Sequence, residues 1–178
     1  MNKNNKLEDS LTKLFSTSGY KMVDVSDKAI THRKALASGE ILLGSKIIDM
    51  IKSKKMPKGD PLSIAEVAGI NGVKKTSELI PLCHPLSLDH ISLHAEINDE
   101  KNSVIVYCLV SANSKTGVEM EALSGVNSAL LAIYDLSKIV EPNLKITNTK
   151  LLVKSGGKKG LWINPDGVPK KIINVLSL

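Results

Sequence analysis

Aromatic side chains are scarce in this chain: one Phe, one Trp and three Tyr among 178 residues. A core cannot be built on ring packing, so Leu, Ile, Val, Ala and Met must fill it. Cysteine is nearly absent as well. Cys83 and Cys108 alone make no disulfide framework, which points to a reducing cytoplasm. No apolar run is long enough to span a bilayer, and the start, MNKNNKLEDS, is too polar for a signal peptide. Acidic residues are outnumbered, 18 Asp and Glu against 24 Lys and Arg, for a net charge of +6. Such a balance suits an acidic partner (nucleic acid, nucleotide or phosphorylated metabolite), although a lysine-decorated surface serving only solubility has the same signature.

What is present describes an ordinary soluble globular chain, 42% hydrophobic and 24% charged, of a length that suits one compact domain. Residues 1–20 read as a flexible arm, and MVDVS at Met22 to Ser26 leads into a first strand over Lys28 to Leu43. A short helix follows near Ser45 to Ser53, with Ile47, Ile48 and Ile51 on one side. After the basic loop KSKKMPKGDP, Ser63 and Glu66 form a capping box for a helix reaching Leu79, which Pro81 ends. Ile91, Leu93, Ala95 and Ile97 alternate with polar residues, Val104 to Val110 is strand-like, and NDEKN joins the two as a hairpin. A long helix comes next, then a last strand over Leu144 to Val153. This order predicts an α+β fold, a ferredoxin-like split βαβ sandwich with an antiparallel sheet packed against helices.

The long helix, KTGVEMEALSGVNSALLAIYDLSK over Lys115 to Lys138, is the most informative stretch. Thr116 and Glu119 make a second capping box. Val118, Leu123, Val126, Leu130, Ile133, Leu136 and Val140 then recur at helical spacing until Pro142. Glu121, Asp135 and Lys138 ride on this apolar helix. Glu121 and Asp135 are roughly 21 Å apart along its axis, yet only about 40° apart around it. One small ligand reaches both only if two such helices run antiparallel. That predicts a site shared between subunits.

Three places carry chemistry. In LCHP, Pro81 and Pro85 fix the backbone around Cys83 and His84, and the histidine can serve as acid, base or phosphate contact, or simply as a structural residue. Cys83, His84, His90 and His94 match no common zinc spacing, and His90 and His94 fall where strand residues face solvent, so no metal is expected. In VEMEAL the helix dipole explains Glu119 as a cap, while Glu121 reads as a solvated charge. The third place is a set of lysines: Lys58 in a PKGDP turn, Lys138 three residues from Asp135, and Lys154 with Lys158 around SGGK. Glycines there permit close approach to phosphate oxygens, although a full P-loop is absent. An exposed Asp135–Lys138 pair would by itself add only a few tenths of a kcal/mol.

Together, MVDVS, KGD, IPLCHPL, KTGVEMEAL, IYDLSK and LLVKSGGK resemble, in order and spacing, the cyclic pyranopterin monophosphate synthase family of molybdenum cofactor biosynthesis. The resemblance covers about Lys21 to Lys158. It implies a lyase that takes a cyclised dihydro-GTP, made by a radical SAM partner, and rearranges it to cyclic pyranopterin monophosphate with release of pyrophosphate. It implies a ferredoxin-like fold over 21–158 and a cytoplasmic homohexamer, a trimer of dimers with active sites between subunits. No cofactor, membrane or nucleic acid is implied. Carried over by position, the catalytic aspartate falls on Asp135, with Lys58 and Lys138 as catalytic lysines. Substrate contacts fall on Leu82, Cys83 and His84, on Met120 and Glu121, and on Glu119, Lys154 and Arg33. Releasing pyrophosphate develops negative charge that lysine can neutralise, and a lysine–aspartate pair can transfer protons if burial lowers the lysine pKa.

The chain departs from the family pattern by continuing over 159–178, an extension that could extend the sheet, cross an interface or stay disordered. The alternative reading is a basic ferredoxin-like RNA-binding module. Such modules stack bases on aromatics of the central strands, and here those strands hold only Tyr107.

Overall fold

Strand β1 (Thr31–Leu42), hairpin strands β2 (His90–Asn98) and β3 (Ser103–Ser114), β4 (Lys145–Ser155) and the two-residue β5 (Trp162–Ile163) form one antiparallel sheet, in the order β2-β3-β1-β4-β5. The helices are α1 (Ser45–Lys52), α2 (Pro61–Lys74), the single turn α3 (Thr76–Leu79), α4 (Glu119–Ser137) and α5 (Lys170–Leu176). This computed structural model describes residues 19–176, so all but the end of the expected arm lies outside the described residues. The first four strands with α2 and α4 make the ferredoxin-like split βαβ sandwich that the element order predicts. Among the described residues no helix is long and apolar enough to cross a membrane.

Aliphatic side chains build the core, as the scarcity of aromatics requires. Alternation along β1 and β3 sends Ala35, Ala37, Ile41, Val104, Val106 and Val110 into one buried cluster with Ala122, Val126, Leu130 and Ile133 of α4. Burying each such Val, Leu or Ile contributes about 1.5–3 kcal/mol. Cys108 is buried there too, and desolvation pushes its thiol up to about 12, so it acts as a small hydrophobe. Close approach of α2 to α4 depends on glycine: a Cβ on Gly125 would lie 2.6 Å from both Cys108 Sγ and Val73 Cγ2. Ile47, Ile48 and Ile51 of α1 are buried on one side, as their spacing predicts.

Four local expectations are corrected. The long helix begins at Glu119 rather than Lys115, with buried Val118 at the cap position and no side-chain cap; the Glu119 carboxylate is engaged by Lys154 instead. Asp60, not Ser63, caps α2 by accepting from the Leu62 amide at 3.0 Å, because Pro61 suits the first helical position and needs no N–H partner. That helix ends at Lys74, and α3 is a separate turn. At its N-terminus β1 starts at Thr31 rather than Lys28. The β2–β3 hairpin forms as predicted, with Asn102 at φ 50°, a left-handed position that asparagine tolerates.

The second face of the sheet carries Leu36, Ile105, Tyr107 and Leu152. Residues 159–176 extend the sheet by β5 and then lay α5 over this face.

Candidate active site

The expected site residues fall into two groups, at opposite ends of α4. At its C-terminal end Asp135 accepts from Lys138 Nζ at 2.7 Å and from Lys58 Nζ at 3.0 Å. Lys58 reaches it from the PKGDP turn before α2, and also donates to the Asp135 carbonyl at 3.3 Å. Hydrogen bonds from Lys138 and Lys58 hold the Asp135 carboxyl below the usual carboxylate range. The same contact raises Lys138. The expectation that burial lowers the lysine is therefore corrected: this cluster is exposed in the single chain, and its carboxylate governs it.

At the N-terminal end, Glu119 accepts from Lys154 Nζ at 2.8 Å, joining the helix to β4. Arg33, on β1, donates to the Lys115 carbonyl at 3.4 Å, while its Nε is buried without a partner among the described residues. The SGG loop folds tightly over this guanidinium; a Cβ on Gly157 would lie 2.6 Å from Arg33 Cζ. Cys83 and His84 sit at the wall of the next cavity, with Leu82 and Met120, 48% and 39% exposed, at its rim. Among the described residues no cluster of His, Cys, Asp or Glu could hold a metal ion. His90 and His94 face solvent on β2.

Glu121 is not a solvated charge. It is 3% exposed, accepts from Cys83 Sγ at 3.7 Å, and leaves Oε2 buried without a partner among the described residues, beside a cavity of about 230 Å3. Burial raises its carboxyl above the ordinary value, and burial followed by the Glu121 charge raises the Cys83 thiol. A carboxyl raised on folding contributes stability that is fully present below its unfolded value and is lost as pH rises through the folded value. Glu121→Gln should therefore melt with wild type near about pH 4 and above it near about pH 8. A melting-temperature difference that stays constant across that range would refute the assignment.

Two cavities open at this end. One, of about 580 Å3, is lined among the described residues by Lys28, Arg33, Lys115, Lys154, Lys158 and Lys159 against Asp27 and Glu119. Thr31 Oγ1, buried and unpaired among the described residues, lies in its wall with Arg33. The other, of about 520 Å3, holds Leu82, Cys83, His84 and Met120, and the two share Lys28, Thr116, Gly117 and Glu119. Neither includes Lys58, Asp135 or Lys138. A strongly cationic chamber beside a partly apolar one can take a polyanion joined to a ring. Lys28, Lys115, Thr31 and Lys159 were not singled out from the sequence. The glycine-flanked-lysine signal used at SGGK also fits Lys115, in KTG; Lys28 carries no such signal. MVDVS proves to be a wall, with Val23 and Val25 lining the second cavity and Lys115 Nζ donating to the Ser26 carbonyl at 2.8 Å.

The MoaC family model matches residues 22–157. A cyclic pyranopterin monophosphate synthase of Chloroflexus aurantiacus is 42% identical over 157 residues, 88% of this chain and 96% of the relative. The like-named protein of Heliobacterium modesticaldum is 41% identical over 158 residues, 89% of this chain and 99% of its own. A mitochondrial cyclic pyranopterin monophosphate synthase of Arabidopsis thaliana is 45% identical over 141 residues, 79% of this chain and 52% of the plant protein.

Proposed function

The chain belongs to the MoaC family, and on that premise we propose that it is a lyase of molybdenum cofactor biosynthesis, rearranging a cyclised dihydro-GTP to cyclic pyranopterin monophosphate and releasing pyrophosphate. The observation that carries this reading is the pair of adjoining cavities at the head of α4, cationic on one side and lined by Leu82, Cys83 and His84 on the other. A triphosphate belongs in the first chamber, where Arg33, Lys154 and their neighbours neutralise the charge that grows as pyrophosphate leaves. The purine-derived ring belongs in the second, with His84 in reach for proton transfer and Met120 against the ring face. Glu121, behind Cys83, holds that thiol in place. Residues 21–158 make up the catalytic domain.

Asp135, Lys58 and Lys138 move protons on the ring system, and they come from the neighbouring chain. The separation of roughly 21 Å between Glu121 and Asp135 along one rigid helix supports this. Further support comes from α4 itself, which exposes Leu131 (61%) between its two charged ends, while α2 exposes Val67 (61%). Apolar surface of that kind fits a second copy better than water. Antiparallel pairing of two α4 helices brings each cationic cavity to the partner's Asp135 cluster and buries it. Three such dimers make a cytoplasmic hexamer, supplied by a radical SAM cyclase acting on GTP.

The RNA-binding alternative is weaker for a structural reason. Tyr107, the aromatic of the central strands, is 8% exposed with Lys171 Nζ 4.2 Å above its ring, so no base can stack there. Incubating the purified protein with the cyclised dihydro-GTP and measuring pyrophosphate tests the proposal; protein that releases none under conditions active for a relative would overturn it.

A further inference from the structure

Residues from Lys158 onward lie beyond the stretch matched by the family model, and the reaction above gives them no role except at the cavity wall. The chain leaves β4 through Gly156 and Gly157, both at positive φ, and Lys158, Lys159 and Gly160 then form one side of the cationic cavity. It next folds back on the strand it left. Trp162 and Ile163 pair with Lys154 and Val153, so β5 braces the backbone that carries the cavity's own Lys154. Asn164 clamps the return, its amide donating to the Leu152 carbonyl at 2.8 Å and its Nδ2 to the Leu151 carbonyl at 2.7 Å.

From there the segment crosses the sheet. Val168 and Ile172 pack with Leu36, Ile105 and Leu152 on the second face. At the far edge Lys171 Nζ lies 2.6 Å from both carboxylate oxygens of Glu96, a β2 residue. One continuous segment thus runs from the cavity on one side of the sheet to an ion pair on the other.

We propose that residues 158–176 are a strap whose docking on the second sheet face positions the polyphosphate-binding wall, Lys154 with Lys158 and Lys159. The reason is conformational. A lysine turn flanked by three glycines is costly to order on its own. Held by β5 on one side, and by the Lys171–Glu96 anchor further on, it is ordered before ligand arrives, and less affinity is lost on binding. The wall that the strap positions also neutralises the charge of the departing pyrophosphate, so releasing the strap raises KM and lowers kcat together. The inference rests on the reading of the cationic cavity as the seat of a polyphosphate.

The test uses the full-length protein, titrated with inorganic tripolyphosphate by calorimetry and assayed for turnover. Lys171→Glu should bind tripolyphosphate about tenfold more weakly, with KM raised and kcat lowered; adding Glu96→Lys to restore the ion pair in reverse should recover affinity to within about threefold and turnover with it. If Lys154→Ala weakens binding while Lys171→Glu and the double variant both bind as wild type, the strap is overturned and the cavity reading stands. If wild type does not bind tripolyphosphate at all, the cavity reading fails and takes the strap with it. Should Lys171→Glu not fold, the milder Lys171→Gln decides: weakened tripolyphosphate binding supports the strap, and unchanged affinity overturns it.

Discussion

Replacing either Lys58 or Lys138 by alanine is expected to stop turnover while the protein stays folded and assembled. Both lysines grip one carboxylate, at 3.0 and 2.7 Å, from two different elements. With either gone, Asp135 loses a charge partner, and the reaction loses a cation poised where protons move. Removing one preorganised charge-stabilising donor typically costs a factor of about 100–1,000 in rate, and a group that also transfers a proton costs more. Stability should barely change. In the single chain the side chains are 42% and 52% exposed, so truncation opens no apolar cavity within the fold, and changes of this type shift the stability of the chain itself by about 0.5 kcal/mol or less. Circular dichroism and gel filtration beside a pyrophosphate assay separate the two effects. A variant with activity close to wild type removes that lysine from the mechanism.

The second large effect is a recovery. Lys154→Ala disables the head of α4, and Asp135→Ala disables its other end, so each homogeneous preparation should be inactive. If one site takes its head from one chain and its Asp135 from the partner, a mixed dimer holds one doubly defective site and one intact site. Random exchange makes half of the dimers mixed, so about a quarter of wild-type activity should return. The alternative is that Asp135 serves a site complete within its own chain, and then no mixing ratio restores turnover. Lack of recovery after verified subunit exchange would sink the shared site. Lys154 is preferred to Glu121 for the head-end defect because Glu121 is buried, and truncating it would confound activity with folding.

Both experiments depend on residues that the sequence already marked, and the reason they were legible is local. Prolines and glycines punctuate the chain, so the turn holding Lys58 and the bracket around Cys83 and His84 stand out without a structure. Apolar spacing of 3.6 placed Asp135 and Lys138 one turn apart on a helix, and alternation placed the β2–β3 hairpin. These signals need only neighbours within a few residues. Helix starts were misread for the same reason. Capping-box patterns at Thr116 and Ser63 are genuine local options, but Lys154, 35 residues downstream, claims the Glu119 carboxylate, and Pro61 moves the cap of α2 to Asp60.

What the sequence by itself determined is therefore the main elements as far as β4, their order, and which short motifs carry charge or nucleophiles; the separate turn α3, β5 and α5 were settled by the structure. Tertiary structure alone decided how those motifs are grouped. Glu121 looks solvated along the helix and is buried because Cys83 folds onto it; Lys28 and Lys115 look like ordinary surface cations and are drawn into one cavity with Arg33. Tyr107, open by alternation, is covered by a segment more than 60 residues later, through Lys171. Each of these outcomes is set by contacts between residues far apart in the chain. Local periodicity reports which face a side chain occupies, and only the packed sheet and helices determine what stands opposite that face.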